Sequence, residues 1–354
     1  MASRRVISQR DIAARAGVSQ SAVSIVLNGR SEEMGIPLHT QERIQRVMEE
    51  LKYVPNVAAR ALRNGRNNLL GVYTFERVFP VNPSDYYNEF LNGVEEEAVN
   101  LGVDLVLFTS ALHAGEGTGG VYRAGSNRLG IADGTVVLGS KKSDDELARL
   151  SSEGYPFVFI GRRDVPGVVV PCVTADYYNA MSAVVDLVAS FEHFRVGYVG
   201  STLRTQPLEE RLNGFRHFAQ AHKDLYVNEE FTTAELVTAK SLQQWMESGC
   251  TAIVAETADL GAAILQVAQS SDIKIPGDLS LIVLDVGVES PNGVVSHLGI
   301  PRRAMGRKAV SLLVELIQTG TVVTPAVMLK CSPPTSETVS LPAPVRSTSP
   351  LVPR

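Results

Sequence analysis

"DIAARAGVSQSAVSIVLNG", residues 11–29, holds two short apolar patterns separated by Gly17. Helices of this length are marginal alone in water, so each must lean on another element. Ser8 followed three residues later by Asp11 reads as a capping box opening a first helix, with Ile12, Ala13 and Ala16 facing inward. A glycine after the last periodic residue, Gly17, supplies the left-handed turn that ends it. Ser19 then caps a second helix that buries Val23, Val26 and Leu27, and Asn28-Gly29 stops it. Two helices joined by a tight glycine turn form a helix-turn-helix, whose second helix fits the DNA major groove. Helical hairpins of this kind are common and most bind nothing. The neighbouring sequence must decide.

Charge points one way. Residues 1–66 hold 11 Lys and Arg against 6 Asp and Glu, a net of +5, whereas the whole chain is −5. A basic head on an acidic body is the asymmetry of a protein that meets phosphates at one end. Ile44, Val47, Met48 and Leu51 then make one apolar stripe, a third helix opened near Pro37 and Thr40 that covers the first two. In "YVPNVAARALRNGRNNLLGV", residues 53–72, Pro55-Asn56 and Asn64-Gly65 bracket about two turns of helix. That segment carries Arg60, Arg63 and Arg66 and one large apolar side chain, Leu62, which a plain linker does not need.

Downstream of Leu69, short apolar runs alternate with helical patterns: "LLGVYTF", "VDLVLFT", "GTVVLG", "FVFIG", "RVGYVGS", "TAIVAE" and "LSLIVLD". Such alternation predicts parallel sheets wrapped by helices. The runs fall into two sets around residue 162, hence two α/β lobes, and ligands of such folds bind at the carboxyl ends of strands. Cys172, Cys250 and Cys331 have neither disulfide nor metal spacing and read as free thiols. "MASRRVISQR" lacks the apolar core of a secretory signal and no run has membrane-span length, so a cytoplasmic protein is expected. "GEGTGG", residues 115–120, matches a dinucleotide fingerprint, but no strand runs into it and no helix opens from it. It reads as a surface loop.

An enzyme is not expected. The chain has no nucleophile elbow, zinc helix motif or phosphate loop, and its six histidines are scattered, His193 reading as a helix-end residue. No catalytic residue, metal or cofactor is assigned. An exported solute-binding receptor shares the two-lobed body but needs a signal peptide and no basic head.

The paired motifs at residues 11–29 and 53–72 resemble the head and hinge of the LacI/GalR family of bacterial transcription regulators, a likeness running to about residue 331. The resemblance implies a small all-α helix-turn-helix head and an α/β two-lobed, periplasmic-binding-protein-like body with parallel sheets. The expected division is a head over 1–54, a hinge over 55–68 and an effector-binding and dimerisation body over 69–331. Its first lobe spans about 69–162 and 291–320, its second about 163–290 and 321–331. Residues 332–354, rich in Pro, Ser and Thr, read as a flexible tail whose "LVPR" end resembles a vector-derived protease site.

The resemblance also places function. DNA contacts fall on Ser19, Gln20, Ser21, Ser24, Ile25 and Asn28 in the head, and on Asn56, Arg60, Leu62 and Arg63 in the hinge. Gln pairs with adenine, whereas Ile25 offers only apolar contact where the family commonly carries a guanine-selecting arginine. Leu62 is the residue that wedges between base steps in the minor groove. Effector contacts fall on Tyr86, Tyr87, Asp176, Arg211 and Asp285, where aromatic faces, carboxylates and a guanidinium suit a polyol. The family's Asn-Asp is replaced by Thr257-Ala258, and a second aspartate by Val286. The expected partners are operator DNA with inverted half-sites, a small effector, most simply a carbohydrate, and a second copy of the chain. A nucleoside or small acid is the alternative effector.

Overall fold

The computed structural model describes residues 7–53, 67–75, 87–109, 120–123, 125–139, 144–291, 293–321 and 324–343. The chain divides into two compact units, Met1–Asn67 and Asn68–Arg354.

The first unit contains α1 (Gln9–Ala16), α2 (Gln20–Leu27) and α3 (Leu38–Glu50). Ser8 accepts from the Asp11 N–H while the Asp11 carboxylate accepts from the Ser8 N–H at 2.8 Å, so the box is closed in both directions. Gly17 ends α1 at φ +63° in the left-handed region, and Ser19 caps α2 by accepting from the Ala22 N–H at 3.1 Å. Ile12, Ala13, Ala16, Val23, Ile44 and Val47 form the buried core, with Val26, Leu27, Met48 and Leu51 packed around it.

The body contains two parallel sheets. Its elements are β1 (Leu69–Thr74), α4 (Asn88–Leu101), β2 (Asp104–Phe108), β3 (Tyr122–Arg123), β4 (Ser126–Asn127), β5 (Gly134–Leu138), α5 (Asp144–Ser152), β6 (Phe157–Ile160) and β7 (Cys172–Ala175). There follow α6 (Tyr177–Ser190), β8 (Arg195–Ser201), α7 (Gln206–Ala221), β9 (Tyr226–Thr232), α8 (Ala239–Glu247), β10 (Ala252–Ala255), α9 (Ala258–Ser270) and β11 (Ser280–Val283). The chain closes with β12 (Glu289–Ser290), β13 (Gly293–Val294), β14 (Ser296–His297), α10 (Arg302–Thr319) and β15 (Ala326–Leu329). The first sheet has the order β15-β7-β6-β5-β1-β2 and the second β14-β11-β10-β8-β9. Each is buried on both faces, which is why its central strands read as continuous apolar runs rather than alternating ones. In the first lobe α4 and α10 pack so closely that a Cβ at Gly93 would overlap the Arg303 carbonyl, and one at Gly306 the Phe90 carbonyl.

The lobe boundaries differ from the sequence reading. β7, expected in the second lobe, pairs with β6 in the register Phe159↔Cys172. β15, also expected in the second lobe, pairs with β7 from Ala326↔Cys172 to Leu329↔Ala175. The first lobe therefore reaches past residue 162 to Ala175 and regains the chain at α10 and β15. β7 is only four residues long, and its place comes from long-range pairing that no local pattern encodes. The expected flexible tail also differs from 332 to 343. Thr338 exchanges hydrogen bonds with Ser296, at 2.9 and 2.8 Å, and its hydroxyl donates to the Leu281 carbonyl at 2.6 Å. Val339 joins the core of the second lobe. Residues 344–354, including "LVPR", and most of the glycine-rich loop at 115–120 lie outside the described residues.

His193 follows the end of α6 and is buried, its Nδ1 2.8 Å from the Thr251 hydroxyl. Burial pushes its pKa down to about 4. The folded state thus refuses a proton that the unfolded chain takes up near pH 6.5, so the contribution is complete above that pH and is lost as pH falls towards 4. The loss amounts to about 3 kcal/mol. Denaturation of the parent and His193→Gln between pH 7 and 4 should show a shallower loss in the variant. Parallel slopes would remove the assignment. Among the described residues all three cysteines are free thiols, and no helix is long and apolar enough to cross a membrane.

Candidate functional site

The head presents one uncharged helix to solvent. The sequence of α2, "QSAVSIVL", has no ionisable side chain, and its inward face is fixed by Val23 and Ser24. Ser19, Gln20 and Ser21 are exposed, and Ile25 and Asn28 are half-buried. Ser21, Ile25 and Asn28 stand at i, i+4 and i+7, so they share a face. Ile25 is outside the apolar cluster of the head, which leaves its side chain available for contact. Ser24 is turned inward, 6% exposed, and its hydroxyl accepts from Asn28 Nδ2 at 3.3 Å. Asn28 also donates to the Ser24 carbonyl at 2.6 Å. The hinge residues Asn56, Arg60, Leu62 and Arg63 lie outside the described residues.

In the body a cleft opens between the lobes, with about 550 Å³ of space including its mouth. The first lobe supplies Phe90 and Met305 from α4 and α10, and Leu138 and Phe159 to Arg163 from the carboxyl ends of β5 and β6. The second lobe supplies Thr205, Gln206 and Pro207 at the start of α7. Tyr177, in the first turn of α6, also lines it. The position is the one expected of an α/β fold, at strand carboxyl ends. Gln206 reaches across to donate to the Asp164 carboxylate at 3.0 Å, and Arg162 lies 3.9 Å from Glu210 of α7.

Of the residues expected here, Tyr87 lines the cleft, while Tyr86 lies outside the described residues. Asp176 is instead the N-cap of α6, accepting from the Asn179 N–H at 3.2 Å and from its side-chain amide. Arg211 is buried, donates to the Glu256 carbonyl at 3.1 Å and stacks 4.8 Å over the Tyr177 ring, so it backs the cleft through that ring. Asp285 is buried and paired with Arg302, while also accepting from the Val286 N–H at 2.8 Å. Thr257 caps α9 by accepting from the Leu260 N–H at 3.3 Å.

Four contributors were not anticipated. Arg162 and Arg163 directly follow "FVFIG", and Glu256 ends "TAIVAE". Applying the strand-end rule to those runs would have found all three. Glu256 is fully buried; its carboxylate accepts from Tyr198 Oη at 2.7 Å, the Ser201 N–H at 2.8 Å and Arg204 at 2.6 Å. Burial, reinforced by Glu256, holds the Tyr198 hydroxyl well above its usual pKa and therefore protonated. Arg302, the partner of Asp285, had no signal in the sequence.

Comparison with known proteins agrees with this architecture. Residues 9–56 match bacterial regulatory proteins of the lacI family, and residues 185–335 match the periplasmic binding protein-like domain. The probable HTH-type transcriptional regulator EndR of Paenibacillus polymyxa is 26% identical over 321 residues, covering 88% of this chain and 91% of the relative. The lac repressor dimer bound to operator and the anti-inducer ONPF has the same fold, with a TM-score of 0.76 at 19% identity over 95% of this chain and 100% of that one. The transcriptional regulator CelR–cellobiose complex gives a TM-score of 0.60 at 23% identity, covering 93% and 98%. The chain thus joins a DNA-binding region of the lacI family to a periplasmic-binding-protein-like, ligand-binding domain, and its relatives are transcriptional regulators rather than enzymes.

Proposed function

We propose that this protein is a cytoplasmic repressor that binds an inverted-repeat operator as a homodimer and is controlled by a small effector held between the lobes. The observation that carries the reading is the doubly capped helix-turn-helix whose α2 offers Gln20, Ser21 and Ile25 without a charged side chain. Base contacts specify while phosphate contacts only position, so an uncharged reading face shifts sequence choice onto Gln20 and Ile25. Binding-site selection should return half-sites without the guanine preference of an arginine at the Ile25 position, and Ile25→Ala should relax the choice there. A strong guanine preference that survives Ile25→Ala contradicts the reading.

The hinge supplies the second contact. Leu62, wedged into the minor groove, offsets a few kcal/mol of unstacking by the contacts that bent DNA allows. Leu62→Ala should therefore weaken operator binding and reduce bending while the body melts as before. Unchanged bending in a circular-permutation gel counts against it. Control by a ligand requires different affinities for two arrangements of the body, and the hinge, which the sequence predicts as about two turns of helix, is the short element that such a change would melt or order. A carbohydrate or carbohydrate derivative is the effector class supported by the aromatic lining at Tyr87 and Tyr177 and by the CelR–cellobiose complex.

A further inference from the structure

The chemistry of the cleft bears on the charge of the effector, within that class or outside it. Neutral polyols are held chiefly by acceptors for their hydroxyl protons, and buried carboxylates are the strongest of these. Here the carboxylates are committed elsewhere. Asp285 is paired with Arg302, Asp176 caps α6, and Glu256 is filled by three donors. Among the described residues none of the side chains lining the cleft is a carboxylate. What the lining does offer is two guanidinium groups, Arg162 and Arg163, beside Thr205 and Gln206, which can donate or accept and of which Gln206 already donates to Asp164. Arg163 is held against the wall by the Gly139 carbonyl at 2.9 Å and lies 5.3 Å over the Phe159 ring. Arg162 is oriented by Asp164 at 3.3 Å and Glu210 at 3.9 Å, neither of which lines the cleft. The remaining surface is apolar, with Phe90, Leu138, Phe159, Ile160, Pro207 and Met305. Planar guanidinium groups bind carboxylate and phosphate oxygens in pairs, and apolar walls bind a ring or chain.

We propose that the effector is an organic anion, its carboxylate or phosphate set against Arg162 and Arg163 and its apolar face laid on Phe90 and Phe159. This rests on the reading that the effector lies between the lobes. Calorimetric titration of the full chain with matched pairs tests it: glucose against glucose 6-phosphate and glucuronate, and benzyl alcohol against benzoate. At least one anion should bind ten-fold or more tightly than its neutral partner, and the phosphate and carboxylate members identify the acid group. Its affinity should fall at least ten-fold in Arg162→Gln and recover in part in Arg162→Lys. The Arg162 side chain is 46% exposed, so thermal melting of these variants should match the parent. Neutral compounds binding as tightly as their anionic partners, or no anion binding, overturns the proposal. A neutral compound whose binding is lost in Gln206→Ala does so while leaving the cleft as the effector site. An anion unaffected by both Arg162→Gln and Gln206→Ala removes the cleft as well.

Discussion

Asp285→Ala should destabilise the body by about 3–5 kcal/mol, because it leaves the Arg302 guanidinium buried without its carboxylate. The two side chains are 11% and 4% exposed, so water cannot replace the lost partner. Removing both charges together, as in Asp285→Ala with Arg302→Met, should recover most of the loss. Chemical denaturation of the two single variants and the double variant completes the cycle. Single variants that each cost under about 1 kcal/mol would show that the pair contributes little to the fold. The pair joins the carboxyl end of the second sheet, just after β11, to the first turn of α10 in the first lobe. It therefore ties the two lobes together, and Asp285→Asn, which keeps an acceptor for the Val286 N–H, should alter effector response more than it alters stability.

Glu256→Ala is the second large effect. It strips an acceptor from the Tyr198 hydroxyl, the Ser201 N–H and Arg204 at once. Leaving buried donors unmet costs about 1–3 kcal/mol for each fully enclosed group, so the Tyr198 hydroxyl and the Ser201 N–H are the main contributors, whereas Arg204 keeps Glu209 and the Ser201 carbonyl as acceptors. A loss of about 3–5 kcal/mol follows, with Glu256→Gln in between. Arg204 directly precedes Thr205 and Gln206, which line the cleft, so effector affinity should fall in the same variants. Full affinity in Glu256→Gln would separate the network from the cleft.

The head was the legible part of this protein. Its helices are bounded by local devices, namely Ser8 with Asp11, Gly17 and Ser19, and each acts within a few residues of itself. The strands of the two sheets were also visible, because burial on both faces makes runs such as "FVFIG" and "TAIVAE" uninterrupted. The crossovers were not. Whether "CVTA" joins β6 depends on a partner, β15, that arrives about 150 residues later, and no local pattern carries that information. The cleft was half legible for a related reason. Tyr87 and the strand ends could be placed, but the partners of Asp285 and Asp176 decide what those carboxylates do. Asp176 meets Asn179 only three residues on, while Asp285 meets Arg302 on a helix of the other lobe.

The route of the chain through the two lobes also sets an order of birth. During synthesis the head leaves the ribosome with all three of its helices, well before either lobe of the body is whole. The first lobe waits for α10 and β15, and the second for the segment at Thr338 and Val339. Until α10 arrives, the apolar side of α4 at Phe90 and Val94 lacks the cover that Met305, Ala309 and Val310 supply. A nascent chain halted before residue 302 would thus display a DNA-reading head on a body with open apolar surface, the kind of surface that chaperones and proteases recognise. Such a fragment carries the head without a finished ligand-binding body, and its open apolar surface marks it for removal.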